Sequence, residues 1–177
     1  MTDMSAGPLL IADGVVVDGL CESDAAAILE AQDDEIRLRF GTGSPSTLSQ
    51  ALEWTVNAIE ERDEFRAWAI REREGGPLLG KVTLRCTEFG PPDARQRGAY
   101  IEFWVAAAAR GRGLAVKALR AVLEWAFDEL GRDWINAQVE CDNNPSQRLL
   151  SRLGFRVVDE TTFHERPAVI VRLHRSK

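Results

Sequence analysis

The sequence predicts an α/β sandwich around a mixed sheet, folded as one domain. Three observations carry that prediction. Strand-like and helix-like patterns follow one another in the order β, α, α, β, β, β, α, β, α, β, β, no segment repeats at a fixed period, and no Pro/Gly/Ser tract is long enough to separate one domain from another. With 177 residues, 45% hydrophobic and 28% charged, the chain has enough apolar sequence for a single core, which excludes disordered, collagen-like and coiled-coil proteins.

Taken in order, residues 1–14 hold Asp3 and Asp13 and lack a basic region before Leu9-Leu10-Ile11, so they are expected to be a flexible N-terminal segment rather than a secretion signal. The domain is placed at residues 15–177. A first strand is expected at 15–20, followed by a helix that Ser23 caps and that buries Ala27, Ile28 and Ala31. After a turn at 41–45, Leu48, Leu52, Val56 and Ile59 recur at helical spacing and predict a second helix over 47–62. Strands at 65–71 and 78–88 flank the hairpin turn Gly75-Gly76-Pro77, and a loop with Pro91-Pro92 leads to a strand at 98–105. Leu114, Ala118, Ala121, Val122, Trp125 and Ala126 share one face of a helix over 113–130, which Gly131 ends. Residues 134–141 alternate as a strand. Asn144-Pro145 starts a helix with Asn at the cap, Gly154 ends it, and strands at 155–160 and 168–174 complete the chain.

Charge and cysteine content narrow the function. Lys plus Arg total 22 against 28 Asp plus Glu, a net charge of -6, which argues against a broad grip on a nucleic-acid backbone. Cys21, Cys86 and Cys141 are odd in number and have no metal-ligand spacing to His164 or His174, so they read as reduced thiols of a cytoplasmic protein without zinc. No apolar run approaches membrane-spanning length.

The segment richest in chemistry is Arg110-Gly111-Arg112-Gly113-Leu114-Ala115, which joins an apolar strand to an amphipathic helix. Glycines let the backbone approach an anion, the helix start adds about half a positive charge, and arginines add charge-assisted bonds, so the corner can hold a pyrophosphate. A solvated turn with two surface arginines would use the same residues. The Walker pattern fails for want of Gly-Lys-Ser/Thr, and the dinucleotide fingerprint fails at Val116, where its third glycine should stand.

On these residues the chain resembles the GNAT superfamily of N-acyltransferases. Arg110, Gly113 and Ala115 match the fixed positions of its acyl-CoA pyrophosphate loop, Gln/Arg-x-x-Gly-x-Gly/Ala, and Val105 precedes the loop with four residues between them. Residues 143–155, with Asn143, Ser146, Gly154 and Phe155, resemble the Asn-x-x-Ser…Gly-Phe segment of the branch containing RimJ/RimL-like ribosomal-protein N-terminal acetyltransferases. The resemblance runs from Val15 over nearly the whole chain, with two departures: Asp18-Gly19 stands where the branch usually has Arg-Pro, and Tyr100 where an acidic residue often follows alanine. It implies a GNAT-like, mostly antiparallel sheet with helices on both faces, acetyl-CoA as co-substrate without a metal, and direct attack of a primary amine on a thioester held where the strands at 98–105 and 134–141 splay. The expected partners are acetyl-CoA and an amine acceptor, with a homodimer partner as a further possibility, and neither nucleic acid nor membrane. A protein or peptide α-amine is the preferred acceptor; an amino acid, polyamine or aminoglycoside is the alternative, and a non-catalytic acyl-CoA sensor is the rival from another class.

Such a reaction needs a base for the amine, donors for an oxyanion and an acid for the thiolate. By analogy, backbone N–H groups around Trp104 and Val105 supply the donors, and Arg110, Gly111, Arg112, Gly113, Leu114, Ala115, Asn143 and Ser146 hold the CoA. Strand parity puts Tyr100, Glu102 and Trp104 on one face, making Glu102 the first candidate base, either a carboxylate buried at a cost in a central strand or a partnered or rim-exposed glutamate. Asn136, Gln138 and Glu140 share a face of the next strand, either a wet cleft or a solvated edge, and Glu140 is the second candidate base. For the acid, Ser146 is preferred by analogy to Tyr100, although Asn143 and Ser146 could both simply cap the helix. Cys141 is expected on the buried apolar face. Phe40, Trp54 and Phe65 are candidate acceptor-lining residues, His164 sits in a loop, and the acidic runs at 33–35 and 60–64 read as solvated faces.

Overall fold

The computed structural model describes residues 8–40, 45–60, 65–89 and 96–175. Among them, eight strands form one sheet in the order β1-β2-β3-β4-β5-β6-β8-β7: β1 (Leu10–Ala12), β2 (Val15–Gly19), β3 (Phe65–Arg71), β4 (Gly80–Phe89), β5 (Gln96–Val105), β6 (Trp134–Glu140), β7 (Arg156–Phe163) and β8 (Arg166–His174). Five helices accompany them: α1 (Ala25–Glu30), α2 (Asp34–Phe40), α3 (Leu48–Glu60), α4 (Leu114–Asp128) and α5 (Asn144–Arg152). The sheet is mixed and mostly antiparallel: β5 and β6 run parallel, while β1–β2, β2–β3, β6–β8 and β7–β8 run antiparallel. This single α/β fold contains two compact units, residues 1–84 with 103–121 and residues 85–102 with 122–177. No linker marks the division in the sequence, because it cuts through β4, β5 and α4 rather than between elements.

In the first unit, Val15, Val17, Trp68, Ala69 and Ile70 are fully buried, and β3 is covered on both faces over Ala67–Arg71. Leu20, Ile28, Ile36, Ala58, Ala67, Ala69, Leu78 and Trp104 form its core, with Phe40, Trp54 and Phe65 packed against them. A buried ion pair lies inside: Arg71 reaches both carboxylate oxygens of Asp24 at 2.7 and 2.9 Å, the partly buried Asp18 at 2.7 Å and the Gly76 carbonyl at 2.9 Å. Asp18, a departure from the family pattern, is therefore a partner of the buried arginine. In the second unit, Trp134, Ile135, Ala137, Val139, Leu150, Phe155, Ala168 and Val171 make the core.

Several elements depart from expectation. Leu10–Ala12, inside the segment expected to be flexible, pairs with β2 across Asp13-Gly14, whose φ values of 47° and 78° form the tight turn. Helix α2 is additional; its seven residues carry one buried side chain, Ile36, among charges. Ser23 lies within a 3₁₀ turn instead of capping a helix, and the Asp24 carboxylate accepts the Cys21 amide at 3.0 Å. The cap of α5 is Asn143 rather than Asn144, and the Ser146 amide donates to its Oδ1 at 3.3 Å. The turn at 41–44, the loop at 90–95 and the acidic residues 61–64 lie outside the described residues.

Candidate functional site

The glycine-rich corner belongs wholly to the first unit. After β5 ends at Val105, a 3₁₀ turn at Ala107–Ala109 leads to Arg110, and α4 starts at Leu114. Gly111 and Gly113 have φ of 74° and 75°, a left-handed backbone that side chains resist. A Cβ on either would meet nothing within 4 Å, so these glycines are required by the backbone turn and not by crowding. Open space thus lies before the first turn of α4. The earliest hydrogen bond into the helix is from Lys117 N–H to the Gly113 carbonyl at 3.3 Å, leaving the amides of Leu114, Ala115 and Val116 as the unsatisfied donors of a helix start. Upstream, a Cβ on Gly80 would lie 2.5 Å from the Trp104 carbonyl oxygen, so only glycine lets β4 run this close to the end of β5.

Both arginines of the corner have acidic neighbours. Arg110 lies 2.7 Å from Asp33 Oδ2 and 3.3 Å from Glu35 Oε2, and its Nε donates to the Val105 carbonyl at 3.0 Å. Arg112, more exposed, pairs with Glu72. Asp33 and Glu35 were read from sequence as a solvated face; they and Glu72 are the residues near the corner that sequence reasoning missed. No local signal marks them, because their partners lie far away along the chain. Trp104 is buried, Val105 half-buried, Leu114 buried and Ala115 half-buried.

The remaining candidates lie in the second unit. Glu102 is exposed, the rim position and not the buried one of the two readings its strand allowed. The pairing of β5 with β6 covers Gly98, Ala99 and Tyr100 against Trp134, Ile135 and Asn136 and then stops, yet Ile101 and Trp104 beyond it are buried, so the exposure belongs to the Glu102 side chain and not to the strand end. On β6 the polar face is mixed, with Asn136 and Glu140 buried and Gln138 between them exposed. Asn136 accepts from Arg172 at 2.8 Å, Gln138 donates to the Thr162 carbonyl at 3.2 Å, and buried Glu140 faces Arg166 at 3.9 Å, so residues of β7 and β8 partner this face while solvent still reaches Gln138. Gln147 donates to the carbonyls of Glu140 and Cys141, both at 2.9 Å, and fastens α5 to the end of β6. Cys141 is exposed rather than buried, because β6 ends at Glu140 and the alternation ends with it. Asn143 caps α5, while the half-buried Ser146 has only its amide in that cap and keeps its hydroxyl available. His164 occupies the β7–β8 turn with φ of 46°. Among the described residues no group of three or more His, Cys, Asp or Glu could hold a metal ion, and no helix is long and apolar enough to cross a membrane.

The corner thus sets two left-handed glycines and open space before a helix start, and comparisons with known proteins place the whole chain. The family model described as "Acetyltransferase (GNAT) domain" matches residues 15–156. Among curated proteins, the chain is 26% identical over 152 residues to the uncharacterized N-acetyltransferase YoaA of Bacillus subtilis (strain 168), covering 84% of this chain and 83% of that protein. It is 31% identical over 131 residues to the SPbeta prophage-derived uncharacterized N-acetyltransferase YokL of the same organism, covering 72% and 68%. Among solved structures, Mycobacterium smegmatis RimJ in complex with CoA-disulfide has a TM-score of 0.78 at 24% identity, covering 95% of this chain and 86% of that one.

Proposed function

The chain belongs to the acetyltransferase (GNAT) domain family, and we propose that it acetylates the α-amine of a peptide or protein, a reading supported by the resemblance of residues 143–155 to RimJ/RimL-like enzymes. Acetyl-CoA-dependent transfer to an amine comes with the family; the α-amine acceptor and the residue roles are our reading. The observation that carries the acyl-CoA half of this reading is the corner at Arg110 to Ala115, with two left-handed glycines, open space and a helix start. The RimJ structure holds CoA-disulfide, which supports taking CoA as the ligand here too. Three free cysteines, Cys21, Cys86 and Cys141, fit a reducing, cytoplasmic setting.

Acetyl-CoA brings the acyl group already activated as a thioester, so the protein's work is to bind, orient and move protons. Amides from Gly111 to Ala115 and the Arg112 side chain take the phosphates, and backbone donors at Trp104 and Val105 serve the pantetheine and the oxyanion. Glu102, exposed on its strand, accepts the proton of the amine directly or through a water. Glu140, engaged with Arg166, is left a structural role. The Ser146 hydroxyl donates to the departing thiolate, and Asn143 holds the helix start that carries it. An α-amine, with pKa near 8, is neutral about 250-fold more often than a lysine amine near 10.4, which suits an exposed carboxylate as base.

The test combines calorimetry with thiol release. The unaltered chain should bind acetyl-CoA, and Gly113→Asp, which adds a side chain and a like charge at a left-handed position, should abolish most of that affinity. Glu102→Gln should lower kcat by about 10² to 10⁴ with acetyl-CoA affinity little changed. Full affinity in a folded Gly113→Asp protein would remove the corner as the site, and a loss below about threefold in Glu102→Gln would remove Glu102 as the base.

A further inference from the structure

Arg110 has an acceptor at each of its three nitrogens. Nε donates to the Val105 carbonyl at 3.0 Å, Nη2 lies 2.7 Å from Asp33 Oδ2, and Nη1 lies 3.3 Å from Glu35 Oε2. The first of these bonds closes the turn from Val105 to Arg110 that launches the corner. Asp33 is also used twice, since its Oδ1 accepts the Ile36 amide at 2.8 Å and so caps α2, while Oδ2 faces the arginine. The peptide group that ends β5 is held from its other side as well: Ala106 N–H donates to the Leu79 carbonyl at 2.9 Å. One carboxylate therefore ties the start of α2 to the turn that aims the corner.

Resting on the acyl-CoA reading of that corner, we infer that Asp33 is a positioning residue for the phosphates: through Arg110 it sets the 105–110 turn, and with it the direction of the amides that follow. Arg110 then serves the corner from behind, as a brace, and Arg112 is the arginine that meets the anion. The opposite arrangement, in which Arg110 leaves Asp33 to bind phosphate, makes Asp33 a competitor of the ligand. The two arrangements predict opposite signs for one substitution.

Asp33→Asn keeps an oxygen for the Ile36 amide and removes the charge opposite Arg110. Both side chains are about one-third exposed, 30% for Asp33 and 35% for Arg110, so the ion pair is worth little by itself and the effect should be modest. Acetyl-CoA affinity by calorimetry should weaken about three- to fivefold, Arg110→Met should weaken it at least as much, and the double variant should be no worse than Arg110→Met alone. For acetyl-pantetheine, which lacks the pyrophosphate, kcat/KM should stay within about twofold, a selectivity that general loosening of the fold would not give. Unchanged or tighter binding of acetyl-CoA by Asp33→Asn, additive losses, or an equal loss with acetyl-pantetheine would overturn the positioning role. Failure of the unaltered chain to bind acetyl-CoA would overturn the reading of the corner itself, and the role of Asp33 with it.

Discussion

Asp24 shows how a single carboxylate is held inside the protein. Burial pushes its carboxyl pKa up, but hydrogen bonds from Arg71, the Cys21 amide and the Cys21 thiol outweigh that, and the net shift is downward from the ordinary value of 3.8. Burial likewise opposes the charge on Arg71, and Asp24 and Asp18 more than restore it, raising its pKa. Because the folded pKa of Asp24 is lowered, the pair stabilises the fold at pH values above that of the unfolded carboxyl, and the contribution is lost as pH falls through the folded value. Asp24→Asn should thus cost on the order of 3 kcal/mol at pH 7, near the low end for a broken buried pair because Asp18 still holds Arg71. Urea midpoints should show the gap between variant and parent narrowing below about pH 4, and a gap independent of pH would contradict this account.

At the scale of elements, the parallel pair β5–β6 depends on one missing side chain. Gly98 is opposite Trp134, and a Cβ at Gly98 would lie 2.2 Å from two atoms of the buried indole. The ring is pinned by the Arg172 guanidinium 4.2 Å from its centroid and by the edge of Tyr100 at 6.4 Å, so it has little freedom to move away. Gly98→Ala should destabilise the protein by about 1–3 kcal/mol, the range for overpacking, and lower its thermal midpoint; an unchanged midpoint would mean that the indole swings aside at no cost. Elements with their own punctuation were legible in the sequence. Strand β3 lies where its apolar run places it, and α4 and α5 fall between recognisable starts and glycine stops. The misses were short: β1 has three residues, although Asp13-Gly14 is a hairpin signal, and α2 hides one buried isoleucine among charged neighbours.

For the molecule as a whole, a net charge of -6 favours a cationic acceptor over an anionic one. The value of kcat/KM for a good amine acceptor should fall as salt rises, while the binding of anionic CoA should not follow the same trend. A broad screen in which neutral or anionic acceptors win, or turnover indifferent to salt, would refute steering, and lysine side chains outpacing every α-amine would refute the α-amine preference.

The sequence by itself determined the order of the larger elements and the glycine-rich corner with its left-handed turns, because periodicity, capping and backbone freedom act over a few neighbouring residues. Only the tertiary structure decided what those residues face. Arg110 meets Asp33 and Glu35, Arg112 meets Glu72, and Asp18 meets Arg71 through contacts between distant stretches of the chain. Burial was decided in the same way. Glu102 is exposed although Ile101 and Trp104 on the same strand are buried, Glu140 is buried against Arg166 because β8 pairs along β6, and Cys141 is exposed because β6 ends one residue earlier than its alternation suggests. A carboxylate's usefulness as a base depends on such surroundings, which are set by which strands lie side by side and where their pairing ends, and no local pattern of residues encodes that.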